Sequence, residues 1–290
     1  MSHCVAAILP DRGVVRVGGA DARKFLQELI TTDIEKASET AAIHTALLSP
    51  QGKILFDFFV VPAAGGFLLD CPRAATSELI KRLGFYRLRA DVTLDEEPGF
   101  SVAAAWDTPA PPVGGVVTYA DPRLPQLGYR LLLPEGADLE ALGCRFVGDD
   151  SYHAKRIALG VPEGGCDFLY GDAFPHEALL DQLNGVDFAK GCFVGQEVVS
   201  RMEHRGTARK RIVPVEGDAA LPAPGATIEA GGVAIGRLGS VSGTSGLALL
   251  RLDRAMEALA AGKTLSAGSV HIRLLRPDFF RFDVPTSASA

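Results

Sequence analysis

Along the first 205 residues the apolar positions alternate between two spacings, and each spacing predicts a different element. Period-two or short continuous apolar runs bounded by turn residues predict strands, and a period near 3.6 predicts amphipathic helices. VVRV and its flanks read as a strand. DARKFLQELI then reads as a helix capped by Asp21, with Phe25, Leu26, Leu29 and Ile30 along one stripe. IHTALLS, GKILFDFFVV and GFLLD read as consecutive antiparallel strands parted by the turn-forming SPQG and PAAGG. TSELIKRLGF restores helical spacing through Leu79, Ile80 and Leu83, after which RADVTL, FSVAAAW and GYRLLLP continue an α+β rhythm, with loops at TPAPPVGG and PEGADLEALGC. From RIVPVEG onward the pattern is β only. RIVPV, ATIEA, GVAIGRL, GLALLRL and VHIRLL, separated by Gly, Pro and Ser, predict a small barrel or sandwich of about 80 residues. The expected organisation is therefore an α+β region over 1–205, a β domain over 206–285 and a frayed polar tail at 286–290.

Composition narrows the class. An apolar fraction of 47% and a charged fraction of 22% are those of an ordinary globular chain, which argues against disorder. The longest apolar run, ILFDFFVV, is too short to span a bilayer and holds Asp57, and the N-terminus lacks the basic region of a secretory signal. The sequence alone predicts a cytoplasmic location or an equivalent reducing compartment. The five cysteines, Cys4, Cys71, Cys144, Cys166 and Cys192, are scattered without a CxxC pair, which argues against a disulfide framework and a local zinc site. Any special cysteine acts alone or with partners distant in sequence. A net charge of −6 gives no general drive toward nucleic acid or membrane, although Arg201, Arg205, Arg209, Lys210 and Arg211 form a local basic cluster.

The densest chemistry lies in KGCFVGQEVVSRMEHRG, residues 190–206. A cysteine in a glycine-bounded turn ahead of a helix and close to cations suits a reactive thiolate, whereas a small apolar filler in a crowded turn is the plain alternative. Gly195 is placed to cap a helix carrying Gln196 and Glu197 in its first turn, with Val198, Val199 and Met202 buried and Glu197 pairing Arg201 at i,i+4. Gly191 and Gly195 also suit backbone of positive φ. Glu177, in FPHEALLDQL, precedes or opens a helix as a capping aid or as a ligand-facing acceptor. Asp57 sits on an apolar strand on the face of Leu55 and Phe59, and needs a partner: an arginine such as Arg87 or Arg89, or a bound ligand. Asp33 reads as the end of the first helix. His44, His153, His176 and His204 lack metal-ligand spacing and read as structural, and no Walker loop, dinucleotide fingerprint or GxSxG elbow occurs.

The segment KGCFVGQEVVSRMEHRG resembles the signature of the YgfZ family, folate-binding proteins related to the T protein of glycine cleavage, an aminomethyltransferase. GADARKFLQELITTDI, LLSPQGKILFDFFV, FYRLRADVTL, RIALGVPEGGCDF and IGRLGSVSGTSGLALLRLDR extend the resemblance, in order, along nearly the whole chain. It implies the T-protein fold, with N-terminal α+β subdomains and a small C-terminal β-barrel around a channel that holds tetrahydrofolate. It implies that Asp57 and Glu177 meet the folate, although Phe56 stands where the T protein has the first of two aspartates. It implies a role in making or repairing iron–sulphur clusters, especially 4Fe-4S clusters of enzymes such as radical methylthiolases that modify tRNA. On that reading Cys192 is a transient or shared ligand rather than the seat of a resident cluster, Lys190, Gly191, Gly195, Gln196 and Glu197 fix its turn, and Arg201 orients it. The partners would be client enzymes or assembly proteins. A folate-dependent aminomethyltransferase or demethylase, and a tRNA-contacting modification factor, are the competing readings.

Overall fold

The computed structural model describes residues 4–39, 41–108, 116–206 and 208–285, so most of the TPAPPVGG loop and the 286–290 tail lie outside the described residues. Two compact units emerge: one of Met1–Gln51, Leu55–Tyr152 and Leu183–Gln196, the other of Gly52–Ile54, His153–Gln182 and Glu197–Ala290.

The first unit holds two five-stranded sheets. One has the order β10 (Arg145–Val147), β1 (Val5–Leu9), β7 (Phe100–Trp106), β9 (Tyr129–Pro134), β8 (Val117–Ala120). The other runs β3 (Ile43–Leu48), β4 (Ile54–Ala63), β5 (Gly66–Pro72), β2 (Arg12–Gly18), β6 (Thr93–Glu96). Helix α1 (Ala22–Leu29) buries the predicted stripe of Phe25, Leu26 and Leu29, and α2 (Thr76–Arg87) buries Leu79 and Leu83, in one core with Phe56, Phe58 and Val60 of β4. The period that predicted these elements is thus the face that packs. Asp21 stands at the N-cap of α1 but makes no side-chain cap bond; its Oδ2 accepts from the Asp91 amide at 2.8 Å, tying the helix start to the β6 approach. Helix α1 stops at Leu29. Asp33 instead opens a short 3₁₀ turn, accepting from the Glu35 amide at 3.1 Å.

A buried ionic seam joins the two sheets. Asp70 of β5 accepts from Arg12 Nε at 2.7 Å, Arg130 Nε at 2.7 Å and Tyr119 OH at 2.8 Å. Arg123 holds Asp121 at 2.7 Å and donates to Tyr152 OH at 2.8 Å. Three guanidiniums face two carboxylates, and all three also lie over the Phe59 ring, at 5.6, 4.9 and 4.5 Å from its centre. The ring quadrupole supplies the negative potential that the carboxylates leave short.

The absence of CxxC pairs argued against disulfides, yet Cys4 and Cys144 are bonded, with Cα atoms 4.6 Å apart at a sequence separation of 140. The parallel pairing of Val5 with Arg145 brings the two cysteines side by side, a consequence of topology that spacing does not reveal.

In the second unit β11 (Lys210–Gly217), β14 (Ser245–Arg251), β13 (Val233–Ser242), β12 (Thr227–Ala230), β15 (Leu265–Ala267) and β16 (Val270–Leu274) close a six-stranded barrel. Helix α5 (Leu252–Ala260) interrupts the β pattern between β14 and β15 and buries Leu252, Ala255 and Ala258. Helix α3 (Asp149–Ala158) carries Arg156, which binds Asp167 Oδ2 at 3.0 Å and Ser240 Oγ at 2.8 Å, and Asp167 Oδ1 accepts from the Ser240 amide at 2.7 Å. The RIALGVPEGGCDF stretch is thereby fastened to β13. A Cβ on Gly239 would lie 2.4 Å from Asp167 Oδ1, so this contact requires glycine.

Candidate functional site

The glycine-bounded turn is built from its two ends. Lys190 is 7% exposed, and its Nζ donates to the carbonyls of Gln27 (2.7 Å), Ile30 (2.7 Å) and Thr32 (3.3 Å). Gln27 lies in the last turn of α1, whose terminal carbonyls have no partner within the helix and whose dipole is negative there. An ammonium with three donors meets three acceptors, so Lys190 caps the helix in trans. Burial lowers its pKa to about 8, partly opposed by Asp33 and Asp187.

At the other end Phe193 is 8% exposed, with Lys190 Nζ 5.5 Å from its ring centre. The Gln196 amide donates to Phe193 O at 3.2 Å, and Gly195 closes this turn at φ +81°, where a side chain would be strained. Gly191 does not share that requirement: its φ is not positive and a Cβ there would meet nothing within 4 Å. Between these two buried anchors Cys192 is exposed and its thiol is free. This placement answers the packing alternative, since a filler cysteine would be covered.

Helix α4 (Gln196–Arg205) follows the turn, with Glu197 in its first turn and Val199 fully buried; Val198 and Met202 are only partly covered. Glu197 and Arg201 are both exposed, and no ion pair joins them among the described residues.

The approach to the turn is stitched by residues whose roles are silent in the sequence. Thr31 Oγ1 donates to Gly185 O at 2.6 Å, the Asp187 amide donates to Thr31 O at 2.9 Å, and Thr32 Oγ1 donates to His44 O at 2.7 Å. Asp187 accepts from the Ala189 amide at 3.0 Å and from Lys36 Nζ at 2.6 Å; its burial is outweighed by these partners, and its pKa falls below the usual carboxylate range. Thr32, Lys36, His44, Pro122, Asn184 and Asp187 line a cavity of about 240 Å³ beside the turn's approach.

Asp57 is partly exposed, and its Oδ2 lies 3.7 Å from His44 Nε2; its partner is a histidine, not Arg87 or Arg89. His44 Nδ1 stands 3.1 Å from Leu183 O, so the ring is held between that carbonyl and the Asp57 carboxylate. Arg87 turns to Val92 O at 3.5 Å, and Arg89 is exposed.

Glu177 belongs to the second unit. The predicted helix is absent: FPHEALLDQL forms successive turns, with Leu179 at φ +62°. Glu177 Oε2 accepts from the Phe174 amide at 2.9 Å, a local cap that leaves Oε1 for another donor. In the same segment His176, Asp181 and Glu203 bring ligand atoms within 4.8 Å of one another. Arg211 Nη1 already donates to both Asp181 oxygens, at 2.9 and 2.8 Å, and its guanidinium stacks 4.3 Å from the Phe282 ring centre. The cluster thus has its cation. Arg211 is 8% exposed and does not belong to the solvated basic cluster that Arg201, Arg205, Arg209 and Lys210 form.

Of the remaining thiols, Cys71 is buried and burial pushes its pKa up to about 12, which disqualifies it as a ready ligand, whereas Cys166 is exposed.

Residues 209–282 match the family described as the CAF17 C-terminal beta-barrel domain. The chain is 34% identical to the mitochondrial iron-sulfur cluster assembly factor IBA57 of Mus musculus, over 97% of this chain and 85% of that protein. Against the Homo sapiens IBA57 the identity is also 34%, over 83% of this chain and 76% of that one. A mitochondrial IBA57 homolog of Pyricularia oryzae is 37% identical over 71% of this chain, and there the match spans only 56% of the relative's length. The glycine cleavage system aminomethyltransferase T of Bartonella henselae superposes with a TM-score of 0.76 at 16% identity, covering 96% of this chain and 87% of that one, which establishes the T-protein fold. The relatives are named as mitochondrial proteins, and this overturns the cytoplasmic location expected from the missing signal.

Proposed function

This chain belongs to the family of IBA57 iron-sulfur cluster assembly factors, and from that premise we propose that it serves cluster assembly by presenting Cys192 as a transient thiolate ligand to iron or to a cluster in transfer. The observation that carries this reading is the exposed, free thiol held between the buried anchors Lys190 and Phe193. Thiolates are the preferred ligands of such clusters, and one cysteine cannot complete a four-thiolate site, so the remaining ligands come from the partner. The cluster is cargo. Partners are therefore assembly proteins or client enzymes, with 4Fe-4S radical methylthiolases that modify tRNA as the client class.

The same reading includes tetrahydrofolate. A reduced pterin offers an amino group and a ring N–H side by side, which a carboxylate accepts in bidentate fashion. Asp57, on β4 of the first unit, and Glu177, in the second, are the carboxylates the proposal assigns to this contact, each considered by itself. Folate binding with one-carbon transfer from a small amine is the second reading, favoured by the likeness to the aminomethyltransferase fold.

The deciding experiment supplies the chain, or its Cys192→Ala form, to a bacterium lacking its own YgfZ-family protein, and measures a 4Fe-4S enzyme together with glycine cleavage. Rescue by the native chain alone is the expected result. Equal rescue by both would remove Cys192 from the function, and amine-dependent folate turnover without rescue would favour the transferase.

A further inference from the structure

The C-terminal end of α2 carries an apolar pair that the fold leaves uncovered. Phe85 is 64% exposed and Leu88 is 89% exposed. Leu83 and Tyr86, on the opposite side, pack into the core, so the helix already has its buried stripe and the outer pair is additional to it. Leu88 also sits at φ +45° and ψ −104°, backbone that a β- or γ-substituted residue adopts only under strain. Neither the exposure nor the strain serves an internal contact.

The surrounding loop is fixed. The Ala90 amide donates to Arg87 O at 2.8 Å, and Asp91 exchanges bonds with Asp21 at 2.8 and 3.1 Å. Leu88 is therefore held outward in one position, the condition under which an anchor binds without a large ordering cost. Charge identifies what it faces. Arg87 and Arg89, both exposed, flank Leu88 on a protein of net charge −6, whereas Lys81 earlier in the helix is already paired with Glu78 at 3.7 Å. An apolar pair rimmed by arginines is the composition of an interface centre rather than of ordinary solvent-facing helix. A lipid surface fits less well, because two side chains at one helix end offer little apolar depth while the rest of α2 is committed to its own core.

We propose that the Phe85–Leu88 knob, with Arg87 and Arg89, docks a protein partner that offers an apolar pocket rimmed by carboxylates. The surface is distinct from the cysteine turn, and the proposal stands whether or not the iron–sulphur reading does.

A photo-crosslinking residue at position 88, with one at Val233 of the barrel, itself 60% exposed, as control, identifies the partner in cells. That partner is then purified and titrated against the full chain. Three results are expected: a protein adduct specific to position 88, affinity that falls with salt, and at least tenfold weaker binding by both Leu88→Ser and Arg87→Glu/Arg89→Glu. Leu88→Gly separates docking from folding, since it relieves the backbone while removing the anchor: Tm should rise as binding weakens. Adducts only to lipid, to RNA or to a second copy of the chain would overturn the proposal, as would no adduct, or titrations unchanged by the Leu88 variants.

Discussion

Lys190 places a charge among three carbonyl oxygens, and its proton is what those oxygens hold. Because burial brings its pKa to about 8 from 10.5, the unfolded chain keeps this proton between those values while the folded chain has lost it. Stability therefore rises with pH across that window, and the buried charge is a cost below it. Lys190→Met removes both the charge and the helix cap. Its deficit in unfolding free energy should widen from about pH 7 to about pH 10, and it should leave carbonyls unsatisfied at a cost of about 1–3 kcal/mol. A deficit independent of pH in denaturant titrations would place the effect in packing alone. The motif residues themselves were readable, but their holders were not: the acceptors are backbone carbonyls, which carry no sequence signature. Asp57 illustrates the same limit, since a downstream arginine such as Arg87 or Arg89 was plausible and the structure sets it against His44 on the adjacent strand.

At the scale of elements, the cysteine turn is as firm as the seam that ties residues 183–196 to the α1–β3 connection. Thr31→Val deletes the bond to Gly185 O and those with Thr45 and the Ala46 amide. It should cost about 1–3 kcal/mol and accelerate hydrogen exchange at the Asp187 amide, whereas an exposed threonine would show neither effect. Gly195→Ala forces a side chain onto φ +81° and should cost about 1 kcal/mol, with faster alkylation of Cys192 as the turn loosens. Helices α1 and α2 and the barrel strands were legible because their apolar period coincides with the face they bury. FPHEALLDQL misled for a definite reason. Its apolar spacing is helical, but Leu179 at φ +62° and the cap from Glu177 to Phe174 turn the chain before a helix can propagate. Helix α5 hides inside a β pattern because its buried stripe has one large residue, Leu252, which reads as the end of the preceding strand, followed only by Ala255 and Ala258.

For the first unit as a whole, the Asp70 seam sets the response to acid. Burial alone would raise the Asp70 pKa, but Arg12 and Arg130 outweigh it and hold the carboxyl below its ordinary range. The stabilisation is complete above the unfolded carboxylate pKa near 4 and is lost as pH falls through the lower folded value. Asp70→Asn should cost about 3–5 kcal/mol by leaving two buried guanidiniums short of a partner, and should flatten the acid limb of the stability curve measured by circular dichroism. Each charged member of this seam is an ordinary arginine or aspartate in the sequence, and only the pairing within and between the two sheets brings them together with Tyr119, Tyr152 and Phe59.

That α1 is capped by a lysine some 160 residues downstream also bears on how the chain is made. During synthesis α1 and its sheet emerge early, but the carbonyls at the helix end stay open until Lys190 has left the ribosome. β1 likewise waits for β7 and β10 to pair with it. Long sequence separations of this kind delay folding. The cysteine turn is consequently among the last parts of its unit to lock, and Cys192 takes its final position only when the surrounding fold is complete.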